Sequence, residues 1–106
     1  MRVRLGEFYR EAELNFDGGA WLSFALMCGA IFEGILYAKL EINKGFKELI
    51  KAAFTDSKIT SQTRDIMDMV REYRNLVHSN KYKDPYITRA NALDIRTTLD
   101  KLIKKT

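Results

Sequence analysis

The sequence has one cysteine, one histidine and one proline among its 106 residues. These low counts bear on disulfides, on metal sites and on breaks in helices. The lone Cys28 cannot form an intrachain disulfide, which is typical of a reduced, cytoplasmic protein. One cysteine and one histidine leave no zinc-ligand spacing, so we expect no metal site and no cofactor. Because Pro85 is the only proline, long stretches are free to be helical.

Length and composition predict a single domain over residues 1–106. The chain is 46% hydrophobic and 30% charged, which is ordinary for a globular protein, and no repeat or linker divides it. The basic start, residues 1–14, has no apolar segment of the kind found in a signal peptide. A net charge of +4 would favour nucleic-acid binding, but it does not establish such binding.

Residues 21–40 form a nearly continuous apolar run, which raises the alternative of a membrane span. The run has the required length of about 20 residues. Glu33 near its middle would be costly in lipid, however, and no second hydrophobic segment follows. We therefore expect the central helix of a buried core and no membrane partner.

Hydrophobic periodicity predicts an all-α protein, an up-and-down bundle of four to five helices. Asp17 with the two following glycines should end the first helix and cap the second, and Thr60 or Ser61 should cap the fourth. The expected helices cover residues 4–16, 20–42 and 46–54, then a fourth from the cap at Thr60 or Ser61 to residue 79, and a fifth over residues 88–105.

The fourth helix gathers cationic and polar side chains at its C-terminal end. On a helical wheel that starts at Ile66, Arg74 falls at about 80°, His78 at about 120°, Arg71 at about 140° and Asn75 at about 180°. The apolar stripe expected beside them is centred on the start of the wheel and comprises Ile66, Met69, Val70, Tyr73 and Val77.

Two interpretations of this cluster remain open. Charged residues beside an apolar stripe are common on the solvated edge of any amphipathic helix. Alternatively, the two arginines and a protonatable His78 repel one another unless an anion joins them. Glu33 and Glu72 are candidate internal partners, and a phosphate is the external one.

Residues 70–78, VREYRNLVH, resemble the signature of the HEPN (higher eukaryotes and prokaryotes nucleotide-binding) family: an arginine, four to six residues, then a histidine, often with asparagine after the arginine. Residues 30–36, 46–54 and 90–104 resemble the family's central, short and closing helices, so the resemblance covers residues 20–104. Six residues separate Arg71 from His78, which fits the signature, but the Arg-Asn pair is Arg74-Asn75. Either Arg71 is the motif arginine or Arg74 is a shifted one.

The resemblance implies a HEPN-like fold and a metal-independent endoribonuclease of toxin–antitoxin or defence systems. Its partners would be RNA, and an antitoxin or a nucleotidyltransferase. In such a reaction the 2′-hydroxyl of the RNA attacks the adjacent phosphate and a charged phosphorane forms. Arginine can stabilise the phosphorane through its planar N–H donors, and histidine can transfer protons because its ordinary pKa is near neutrality. Arg71, Arg74, Asn75 and His78 would form the catalytic site, with Asn75 holding His78 or a phosphate.

A chain with one histidine cannot supply both a general base and a general acid from histidines, so we expect a homodimer with a composite site. Glu33 would orient Arg74 from the central helix, although a plain buried ion pair is an equal alternative. Lys81, Tyr82 and Lys83 are candidate RNA contacts, with a solvated loop as the alternative.

Two other functions stay open from the sequence. The chain could be a non-catalytic HEPN module that binds nucleotides or a partner protein. It could also be a helical bundle without any ligand, in which the Arg/His cluster is only a solvated edge.

Overall fold

The computed structural model describes residues 2–78 and 87–104, with side chains described for residues 6–75 and 87–104. These residues form helices and no strands, so the predicted all-α helical bundle is confirmed. The helices are α1 (Arg2–Asp17), α2 (Trp21–Leu40), α3 (Phe46–Thr55), α4 (Ser61–His78) and α5 (Arg89–Lys104).

Helix α2 is the centre of the bundle, because it packs against each of the other four helices. Its most apolar side contributes Phe24, Cys28, Phe32 and Leu36, all essentially inaccessible to solvent, to a core shared by the five helices. By length and composition alone α2 could also cross a membrane, which is weak evidence because the core helix of a soluble protein passes the same test.

The contact between α2 and α4 depends on a glycine. Gly29 is buried, and a Cβ atom added to it would lie 2.9 Å from Cγ1 of Val70, so α4 approaches α2 more closely than any larger residue would permit. One helical turn further along both helices, Glu33 of α2 meets Arg74 of α4. These two successive contacts show that α2 and α4 run in the same direction.

Helix α3 runs opposite to α4 and packs beside it. The guanidinium of Arg74 lies 5.5 Å from the ring centroid of Phe46 at the start of α3. At the other end of α3, the guanidinium of Arg64 lies 4.2 Å from the ring centroid of Phe54. The two Arg–Phe contacts therefore fasten α4 to α3 at both ends of the shorter helix.

Polar side chains join α1 to α5. The hydroxyl of Tyr9 donates a hydrogen bond to Asp100 at 2.9 Å, and Arg96 pairs with Glu13 at 2.9 Å. Burial, together with the hydrogen bond to Asp100, raises the pKa of Tyr9 to about 12. Burial also raises the pKa of Cys28 to about 12, so that this thiol behaves as a small apolar core residue.

The helix ends follow the sequence only in part. Thr60 caps α4 as predicted, because its Oγ1 accepts a hydrogen bond from the backbone N–H of Thr63 at 3.2 Å. The predicted cap by Asp17 is wrong: Ala20 is the N-cap of α2 and supplies no side-chain bond. Helix α2 ends at Leu40, two residues before its predicted end at residue 42, because Glu41 adopts a left-handed conformation with φ 54°.

Candidate active site

The buried side of α4 is rotated from the predicted one. Met67 and Val70 are fully buried, whereas Ile66 and Met69 are only half-buried. On the wheel that starts at Ile66, Met67 lies at about 100° and Val70 at about 40°, so the buried side is centred at about 70°. Helix α4 packs against α2, α3 and α5, and on this buried side Val70 meets Gly29 of α2 and Arg74 meets Phe46 of α3. Arg74 therefore lies over the centre of the buried side, not beside it.

Arg74 is held by a contact between helices. Its Nη1 donates a hydrogen bond to Oε1 of Glu33 at 3.1 Å, and both side chains are about a third exposed. A pair so accessible to water contributes about 0–1 kcal/mol to stability, because solvent screens the attraction. Glu33 thus contacts Arg74 as the sequence suggested, and its role toward a substrate stays a prediction.

Arg71 has a different environment from Arg74. Its side chain is 20% exposed, and its Nε lies 3.7 Å from Oδ1 of Asp68, one turn earlier in α4. That distance is an ion pair but not a hydrogen bond. Within the described part of the chain the buried Nε atom of Arg71 has no hydrogen-bond partner. A buried donor without an acceptor is costly. Because solvent does not reach this Nε atom, a phosphate would have to contact the guanidinium at its terminal nitrogens, which are also N–H donors.

For the remaining predicted site residues the structure describes only a part: the exposure of Asn75 and the backbone of His78. Asn75 is exposed on α4 directly after Arg74. The backbone of His78 ends α4, but its side chain lies outside the described residues. The candidate RNA contacts Lys81, Tyr82 and Lys83 also lie outside them. The structure therefore brings together Glu33, Arg74 and the neighbouring Arg71, with Asn75 at the edge.

Two residues of this site were missed by the sequence reasoning. Asp68 lies three residues before Arg71, a spacing that favours an ion pair on a helix, so it was available as a signal. Phe46 lies below the guanidinium of Arg74 because α3 packs beside α4, and no local pattern predicts that contact. Glu72, considered as an internal partner, is exposed, and Asp68 forms the ion pair with Arg71 instead.

The described residues contain no group of three or more histidine, cysteine, aspartate or glutamate side chains that could hold a metal ion. The chain matches no family model, no curated protein and no solved structure in the comparisons made. The HEPN resemblance of residues 70–78 and their surrounding helices therefore stays a prediction from the sequence.

Proposed function

We propose that the protein is a metal-independent, HEPN-type endoribonuclease of a toxin–antitoxin or defence system. The observation that carries the proposal is the arginine pair of α4: Arg71 is 20% exposed, makes only a 3.7 Å ion pair with Asp68 among the described residues, and lies one turn from Arg74. Two neighbouring guanidinium groups with unused donors form a site for a phosphate.

Arg74 can bind an anion while it remains paired with Glu33. Only its Nη1 is used in that hydrogen bond, and a guanidinium has five N–H donors in a fixed plane. The hydrogen bond to Glu33 thereby fixes the orientation of the guanidinium plane of Arg74, and the ring of Phe46 packs against that guanidinium. Glu33 is a positioning residue in this account, and Arg71 and Arg74 stabilise the charge of the phosphorane.

The reaction uses the 2′-hydroxyl of the RNA as its nucleophile. A base removes the 2′-proton, the 2′-oxygen bonds to the adjacent phosphorus, and the bond from phosphorus to the 5′-oxygen breaks as that oxygen takes up a proton. The products are a 2′,3′-cyclic phosphate and a 5′-hydroxyl. His78 is assigned the proton transfers because its ordinary pKa lies near neutrality, with Asn75 holding either His78 or the phosphate.

The two proton transfers require two protonatable groups, and each chain has one histidine. A symmetric dimer would supply the second histidine. Apolar residues on the outward side of α2 support such an arrangement: Leu26 and Ala30 are half-buried and Tyr37 is 41% exposed, next to Glu33 on the same side of the helix. A second copy of this chain is the occupant that would supply the second histidine.

The test is cleavage of single-stranded RNA in EDTA by the wild type and by His78→Ala, Arg71→Ala and Arg10→Ala. We expect the first two variants to lose about 100-fold or more in rate, in line with the loss of a general acid–base or an oxyanion contact. Arg10, exposed on α1, is the matched control and should retain the wild-type rate. Absence of cleavage by the wild type, or undiminished cleavage by His78→Ala, would remove the proposal.

A non-catalytic module that binds nucleotides is the second candidate. It is favoured by the carboxylates that pair with both arginines, Glu33 with Arg74 and Asp68 with Arg71, because such pairing also stabilises a site that only binds. Thermal stabilisation by a nucleotide, in a protein that cleaves no RNA, would select this candidate.

A further inference from the structure

Cationic side chains lie along the junction of α3 and α4, from the Arg74–Phe46 contact to the Arg64–Phe54 contact. On a helical wheel that starts at Phe46, Phe54 falls at about 80°, Lys47 at about 100° and Lys51 at about 140°. These three residues share one side of α3. That side faces α4, because the guanidinium of Arg64 in α4 lies on the ring of Phe54. Both lysines are exposed, so they border the junction with α4.

The side of α4 that borders the same junction is also basic. Arg64 and Arg71 are seven residues apart and fall within about 20° of each other on the helix, with Asn75 a turn beyond Arg71. We call Lys47, Lys51, Arg64 and Arg71 together the α3–α4 basic groove. Its ends are the two Arg–Phe contacts, and the stretch of α4 from Arg64 to Arg74 spans about 15 Å.

The end of the groove away from Arg74 carries an exposed aromatic stack. Phe54 is 38% exposed, the guanidinium of Arg64 lies 4.2 Å from its ring centroid, and the Arg64 side chain is 34% exposed. Arg64 also pairs with Asp65 at 3.1 Å, which holds the guanidinium in place. An arginine plane on an aromatic ring is a surface on which unstacked bases can stack.

The groove is not uniformly positive, since Asp68 lies between Arg64 and Arg71 on the same side of α4 and pairs with Arg71. Its cations therefore do not form one dense patch that would attract any polyanion. They flank a stacking surface, which favours a ligand that has both a repeated negative charge and planar bases. Single-stranded nucleic acid has both, whereas an acidic peptide has only the charge.

We propose that the α3–α4 basic groove binds the backbone of single-stranded RNA and leads it from the Arg64–Phe54 stack to Arg71, which the groove shares with the arginine pair. This inference rests on the proposed function in taking RNA as the substrate, and it adds the path by which the strand reaches the site. Lys47 and Lys51 contact phosphates, and the Arg64–Phe54 stack holds a base.

The experiment measures binding of a fluorescein-labelled 12-nucleotide oligouridine by anisotropy in EDTA, in a His78→Ala background so that the strand is not cut. The test variant is Lys47→Glu/Lys51→Glu. The matched control is Arg10→Glu/Lys101→Glu, two exposed residues on α1 and α5, the helices that Tyr9 and Asp100 join. Each double variant reverses two positive charges, so both change the net charge equally.

We expect the test variant to bind at least tenfold more weakly, and the control to bind within about threefold of the parent. The slope of log affinity against log salt should fall by about 1.4 in the test variant, since each phosphate contact on a single strand contributes about 0.7. Circular dichroism should show one cooperative melting transition in all variants, because the substituted residues are exposed. Its midpoint can shift by a few degrees, since Lys47 lies in the first turn of α3 and Lys101 in the last turn of α5, where charges interact with the helix dipole.

Equal weakening by the two double variants, or no weakening by the test variant, would overturn the inference. So would an oligoglutamate of the same charge that binds as tightly as the RNA, which would assign the groove to acidic proteins. A wild type that binds through the groove but cleaves no RNA would remove the ribonuclease proposal alone. Cleavage by the wild type, with RNA binding unchanged by Lys47→Glu/Lys51→Glu, would remove this inference alone.

Discussion

Gly29→Ala tests the close approach of α2 and α4, on which the position of Arg74 depends. The added Cβ would lie 2.9 Å from Cγ1 of Val70, and Val70 cannot easily move, because it is buried and its β-branched side chain has one preferred rotamer in a helix. Overpacking of this kind costs about 1–3 kcal/mol. Against it stands the gain in helix propensity, about 1 kcal/mol for Gly to Ala.

Gly6→Ala separates the two effects. Gly6 lies exposed in α1, and a Cβ there would meet nothing within 4 Å. This variant should therefore be stabilised by about 0.5–1 kcal/mol through propensity alone. Urea unfolding should then show Gly29→Ala less stable than Gly6→Ala by about 1–3 kcal/mol, which is the steric cost.

A double-mutant cycle identifies the atom responsible. Val70→Ala removes Cγ1, so Gly29→Ala/Val70→Ala should be more stable than the sum of the two single changes predicts, by about 1 kcal/mol or more. Additive effects, or a Gly29→Ala variant stabilised as much as Gly6→Ala, would refute the reasoning.

Three further predictions concern the core and the α1–α5 contact. Met67→Ala should lower the free energy of unfolding in urea by about 2–5 kcal/mol. Ile66→Ala should lower it less, because Met67 is fully buried and Ile66 is only half-buried. The reverse order would mean that the predicted apolar stripe, centred on Ile66, is the buried side of α4. The pKa of Tyr9 is raised to about 12 in the folded protein, so folding favours the protonated hydroxyl. The stability that this hydroxyl contributes is therefore complete below pH 10 and is lost as the pH rises from 10 to 12. The urea midpoint should fall more across that window in the wild type than in Tyr9→Phe. Cys28, buried and with a pKa raised to about 12, should react with a disulfide reagent at pH 8 only in denaturant; rapid reaction of the native protein would contradict this.

The helices could be predicted from the sequence because their apolar residues recur at helical spacing and short glycine-containing or polar segments separate the first four of them. The periodicity could not show which side of each helix is buried. Ile66 and Met67 are adjacent apolar residues of α4, and the packing of the neighbouring helices α2, α3 and α5 decides that Met67 is the buried one. The cap of α2 was missed for a similar local reason, since Asp17 belongs to α1 itself.

The candidate site was predictable in its residue types and less so in its contacts. The pairing of Glu33 with Arg74 followed from a carboxylate in an apolar helix that needs a partner. The position of Phe46 beneath Arg74 depends on how α3 lies against α4, which no short motif encodes. The role of His78 rests on the motif and on the chemistry of imidazole, because its side chain lies outside the described residues.

The chemistry of the cleaved ends tests the central proposal most directly. The wild type should cut a single-stranded RNA in EDTA to leave a 2′,3′-cyclic phosphate and a 5′-hydroxyl, and a matched strand with 2′-deoxy sugars at the cut positions should stay intact. Cleavage of the deoxy strand, products with a 5′-phosphate, or no cleavage of the RNA would each contradict the account.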